Sequence, residues 1–169
     1  MSFIQFDICD YYPNITPFLL NKALDFAAKY VEISDDDRNL FFHTRKTFLC
    51  SKDDYWIKKN NPEFDVSMGS FDSSEISDVC GLYILSLLEP LNIKNGLYRD
   101  DGVAYCTLTP RQAENMKKNI CKIFKEIGFN ITIEANLKEI NFLDITFNIE
   151  TGIYKPYMKE NNAPIKSWE

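Results

Sequence analysis

The chain has 169 residues, and its 19 basic and 25 acidic residues leave a formal charge of −6, the opposite of the clustered positive charge by which nucleic-acid binding usually shows itself. Hydrophobic residues make up 45% and aromatics 14%, enough to pack one domain over 1–169 and too much for a disordered chain. No apolar run approaches the ~18 residues needed to cross a bilayer, and the opening Met1-Ser2-Phe3-Ile4-Gln5 lacks the features of a signal peptide, so an intracellular chain of cytoplasm or nucleus, with no membrane partner, is expected.

Residues 3–8 read as a β-strand that carries a carboxylate, Asp7, near its end. From Pro17 to Val31 the apolar positions Leu20, Ala23, Leu24, Ala27, Tyr30 and Val31 recur at helical spacing. Ser34-Asp35-Asp36-Asp37 suits a solvated loop or a helix start better than a metal site. Residues 32–67 form a partly helical insertion of weaker pattern. Ser74 to Leu88 carries a strong helical stripe, with Asp72 or Ser73 as cap, Glu75 completing an Asp version of a capping box, and Pro90 as stop. Leu97-Tyr98 and Val103 to Leu108 are short strands around a turn Arg99-Asp100-Asp101-Gly102. Thr109-Pro110-Arg111-Gln112 caps a helix that runs to Gly128. Phe129 to Glu134 alternates as a strand, and Phe142 to Ile149 with Ile153 to Tyr157 forms a hairpin across Glu150-Thr151-Gly152. This order predicts an α+β fold: a split βαβ, ferredoxin-like antiparallel sheet with helices on one face and an appended C-terminal hairpin.

Cys9, Cys50, Cys80, Cys106 and Cys121 are odd in number and contain no C-x-x-C pair, which suits free thiols in a reducing compartment. With His43 the only histidine, metal chemistry must be built from carboxylates, and His43 itself is better read as packed or solvent-edge than as a catalyst. In a split βαβ sheet the first strand lies beside the central hairpin, about 4.8 Å away, so Asp7 can meet Asp100 or Asp101. Such clustering is costly unless cations neutralise it, and hard oxygen ligands suit Mg²⁺ or Mn²⁺. Two such ions ~3.5–4 Å apart serve phosphoryl transfer. An isolated Asp-Asp-Gly turn would be ordinary turn chemistry; its surroundings give it weight.

Phe6-Asp7-Ile8-Cys9-Asp10-Tyr11-Tyr12, Met68-Gly69-Ser70 before a long helix, and Tyr98-Arg99-Asp100-Asp101 resemble, in order, three motifs of the reverse transcriptase palm, especially that of Penelope-like and related retroelements. Gly128 with Lys138, and Asn141-Phe142-Leu143-Asp144, resemble two further motifs more loosely. The resemblance implies a palm-type fold and an RNA-directed DNA polymerase that adds deoxynucleotides to a primer 3′-hydroxyl with two Mg²⁺ or Mn²⁺ ions. It implies that Asp7 and Asp100 ligate the metals, with Asp101 beside them and the Ile8 carbonyl on the second ion. It makes Tyr12 a steric gate against ribonucleotides, a buried aromatic after the strand being the alternative, and gives Met68, Gly69 and Ser70 to the nucleotide pocket. Lys138 becomes a candidate general acid for pyrophosphate, a solvated loop lysine being the alternative. Arg45 and Lys46, with Lys58 and Lys59, become candidate template or phosphate contacts, surface charge being the plainer reading. The implied partners are an RNA template, a DNA primer and deoxynucleoside triphosphates. The chain starts almost on the first motif and ends where a thumb would begin, so fingers and thumb segments are expected to be missing. The rival reading is a non-polymerising palm-like remnant that binds a divalent metal or serves as a scaffold.

Overall fold

The computed structural model describes residues 1–46, 48–57 and 64–157. Strand β1 (Ser2–Ile8) alternates strictly near its end: Ile4, Phe6 and Ile8 are buried, whereas Asp7 is exposed. Period-two alternation with one wet face is what a sheet covered on one side requires. The chain turns through a short helix α1 (Tyr11–Asn14) into α2 (Pro17–Ala27), which starts on the Thr16 hydroxyl and Pro17. The helix predicted to reach Val31 stops at Ala27, and Tyr30 and Val31 lie exposed in the turn that follows.

Within the insertion, Ser34-Asp35-Asp36-Asp37 opens helix α3 (Asp35–His43), where Ser34 and Asp37 form a reciprocal capping box. A small hairpin of β2 (Leu49–Ser51) and β3 (Asp54–Trp56) follows, which the sequence pattern did not suggest. Helix α4 (Ser73–Leu88) has Asp72 at its N-cap position, yet the Asp72 carboxylate makes no capping bond. It pairs instead with the buried Arg45 guanidinium, so the expected Asp72–Glu75 capping box does not form.

Strands β4 (Lys94–Tyr98) and β5 (Asp101–Cys106) form a hairpin with only Arg99 and Asp100 in the turn. Asp101 and Gly102, expected in that turn, belong to β5. Helix α5 (Pro110–Glu126) has the anticipated Thr109–Gln112 capping box, and Gly128 ends the unit at a φ of 90°. Strand β6 (Ile131–Leu137) completes an antiparallel sheet of order β4-β5-β1-β6, the split βαβ arrangement, with the chain α+β as expected. Phe6, Phe124, Ile120, Ile84 and Leu20 are among the core residues between sheet and helices. The expected C-terminal hairpin is a three-stranded sheet of β7 (Glu139–Phe142), β8 (Ile145–Asn148) and β9 (Tyr154–Pro156). It leans on the open face of the main sheet at one end, where Phe147 meets Phe3 with ring centroids 5.7 Å apart and the Gln5 amide donates to the Asn141 carbonyl. The other end of that face stays open, and Asp7 stands there.

Candidate catalytic carboxylates on the open sheet face

Asp7 and the adjacent pair Asp100 and Asp101, more than ninety positions away in sequence, are brought to one end of the sheet by strand register. Asp7 of β1 lies directly opposite Asp101 of β5. Residues opposite one another in an antiparallel pair share a face, so both side chains belong to the helix-free side. One step further the Ile8 amide donates to the Asp100 carbonyl at 2.9 Å, which clamps the hairpin turn to the end of β1. The same row runs from Tyr98 through Asp101 and Asp7 to Thr132 of β6.

The electrostatics follow from that placement. Partial burial, and then the negative charge of Asp100, hold the Asp7 carboxyl above its ordinary value of 3.8. The fold therefore carries an unfavourable like-charge pair that a cation would relieve. Among the described residues no three His, Cys, Asp or Glu side chains converge as a metal-holding group. Two neighbouring carboxylates are nonetheless a donor set that Mg²⁺ uses when substrate phosphates and water supply the rest. On that chemistry Asp7 and Asp100 fit a divalent cation.

Gly102 holds the strands in this register, a role that its expected place in the turn did not reveal. A Cβ built on it would lie 2.0 Å from the Phe6 ring, its partner on β1, so the ring occupies the volume of the missing side chain. Phe6 in turn packs on Phe124 of α5 with centroids 5.3 Å apart. The residue following Asp101 and the residue preceding Asp7 are thus locked together under the acids.

The other candidate residues are placed variously. Ile8 is buried at the end of β1, beside the carboxylates. Tyr12, at 8% exposure, packs edge-on against Tyr11 with centroids 5.7 Å apart. Tyr11 donates its hydroxyl to the Ser77 carbonyl at 2.7 Å, tying α1 to α4. Met68, Gly69 and Ser70 form an open loop before α4, with Met68 exposed and Gly69 at a φ of 93° that favours glycine.

Two expectations fail on geometry. Arg45, read as a template or phosphate contact, is 2% exposed and faces inward to Asp72, while its neighbour Lys46 is exposed. Lys138, read as a general acid, lies at the opposite end of β1: its amine donates to the Met1 carbonyl at 2.9 Å and pairs with Glu150 at 3.2 Å. Six residues of extended chain put it about 20 Å from Asp7. Lys58 and Lys59 fall outside the described residues.

The chain is similar in fold to the apo telomerase from Candida tropicalis truncated from its C-terminal domain, with a TM-score of 0.65 over 92% of this chain and 14% identity. It spans about a third of that chain, covering 35% of it. No family model and no curated protein matches the sequence. Among the described residues no helix is long and apolar enough to cross a membrane. The likeness to the telomerase is one of fold alone.

Proposed function

We propose that this chain is the palm of an RNA-directed DNA polymerase, in which Asp7 and Asp100, with Asp101 beside them, carry nucleotidyl transfer to a primer 3′-hydroxyl. The observation that carries this reading is the strand register that sets Asp101 opposite Asp7, with the Asp100 carbonyl accepting from the Ile8 amide, at the uncovered end of the sheet. The fold similarity to a telomerase supports it.

Asp7 and Asp100 would hold Mg²⁺ or Mn²⁺, with the Ile8 carbonyl assigned to a second ion. Bound there, the cations supply the charge that activates the attacking hydroxyl and stabilises the leaving oxygen. The chain's own contribution is positional. The Ile8–Asp100 hydrogen bond and the Gly102–Phe6 contact fix the carboxylates before substrate arrives, and preorganised charge costs no rearrangement during reaction. Tyr12, five residues beyond Asp7, discriminates against a ribose 2′-hydroxyl, its ring held by Tyr11. Met68, Gly69 and Ser70 border the nucleotide, the glycine allowing close backbone approach. RNA template, DNA primer and deoxynucleoside triphosphates are the partners.

The test is extension of a DNA primer on an RNA template by the full chain with Mg²⁺ and deoxynucleotides. Asp100→Asn should cut the rate by about 100-fold or more, the scale of losing one electrostatic partner of the transition state. Undiminished synthesis by Asp100→Asn would remove the assignment.

A further inference from the structure

The tip of the β4–β5 hairpin carries a cation among the carboxylates. Arg99 sits between Tyr98 and Asp100 with a φ of 55°, a left-handed conformation that Gly, Asn and Asp adopt far more readily than Arg. Its guanidinium carbon lies 5.2 Å from the centroid of the Tyr98 ring. Tyr98 is half exposed and in register with Asp101, whereas its neighbour Leu97 turns the other way, against Gly81 of α4. The ring therefore holds the guanidinium on the acidic face. Among the described residues Arg99 makes no ion pair, although Asp100 follows it in the chain.

A second cation shares this edge. Lys94 opens β4 on the same face as Tyr98, is exposed, and likewise has no ion pair among the described residues. Four residues of strand separate it from Tyr98, about 13 Å, the axial length of roughly four nucleotides in one strand of a duplex. On this face the outer strand β6 carries Thr132 and Glu134 and no cation, so positive charge gathers along the β4 edge and negative charge at the centre and far side.

We propose that Arg99, stacked on Tyr98, grips a backbone phosphate of the strand whose 3′-hydroxyl reacts at Asp7 and Asp100, with Lys94 taking a phosphate further along the β4 edge. This rests on the polymerase reading and names the residues that bring a polyanion to an acidic site. Guanidinium is suited to the task because its planar fork binds phosphate in two hydrogen bonds while its face stacks on an aromatic ring. Carboxylates alone would repel the strand, and a fixed cation one residue from Asp100 offsets that repulsion. The Arg99–Lys94 line leads away from the carboxylates over a length that a polynucleotide fills and a triphosphate does not.

The experiment is fluorescence anisotropy of a labelled DNA primer annealed to an RNA template, titrated with the full chain over a salt series in chelator. Binding is then read without metal or catalysis, so it stands apart from the Asp100→Asn synthesis test of the polymerase reading. Arg99→Gln should weaken binding about tenfold and lower the slope of log affinity against log salt by about one, and Lys94→Gln should also lower that slope by about one. Arg99→Lys should keep the slope. Arg99→Gly, which suits the 55° backbone, should bind as weakly as Arg99→Gln, separating the phosphate contact from folding. The proposal is overturned if the hybrid does not bind, or if the Arg99→Gln and Arg99→Gly variants bind with unchanged affinity and slope. It is equally overturned if their only effect is a raised KM for deoxynucleotide in primer extension, which would give the guanidinium to the triphosphate.

Discussion

Asp7 ionises against both partial burial and the charge of Asp100, which gives its replacement a definite sign. Because its folded pKa lies above 3.8, the native chain holds the proton more tightly than the unfolded one, and stability falls as pH rises from 3.8 through the folded value. Asp7→Asn removes that loss. In thermal melts without divalent metal its Tm should exceed the wild-type value at pH 7, with the gap closing below pH 3.8, while synthesis is abolished. A lower Tm at pH 7 would show that Asp7 is not opposed by Asp100. Burial pushes the Cys80 thiol up to about 12, whereas Cys50 is exposed. An alkylating reagent at neutral pH should therefore label Cys50 in the native chain and reach Cys80 only on unfolding, as read by mass spectrometry.

The hairpin of β4 and β5 is the element on which the site depends, and Gly102 is its most sensitive position. Gly102→Ala would drive a methyl into the Phe6 ring, costing about 1–3 kcal/mol of stability in denaturant melts and shifting Asp101 against Asp7. Primer extension should fall with it, whereas Thr109→Ala, which breaks the α5 cap remote from the acids, should cost ~1 kcal/mol and leave the rate per folded molecule unchanged. The hairpin was legible in the sequence because β-prone runs flank turn residues. Its register was not, since a two-residue turn depends on Arg99 adopting positive φ, which no propensity of arginine suggests. The α5 cap was legible as a local pattern. Asp72 misled because its partner Arg45 stands 27 positions away in sequence, and a non-local ion pair displaced a local capping bond.

For the molecule as a whole, strand–helix order pointed to the four-stranded sheet, since split βαβ connections leave few other arrangements. The small sheets were harder to read: β2 and β3 have three residues each, and β7 and β8 are separated by a tight turn with Leu143 at a φ of 53°. Lys138 lies at the far end of the sheet, as a solvated lysine, because β6 runs on to Leu137 and carries the following residue there. The acids themselves lie where the sheet order requires. The most direct measurement is Mn²⁺ binding followed by electron paramagnetic resonance, with a deoxynucleoside triphosphate present. The wild-type chain should show protein-dependent Mn²⁺ sites that are lost in both Asp7→Asn and Asp100→Asn; Mn²⁺ binding unchanged in both variants would remove the carboxylates as its ligands.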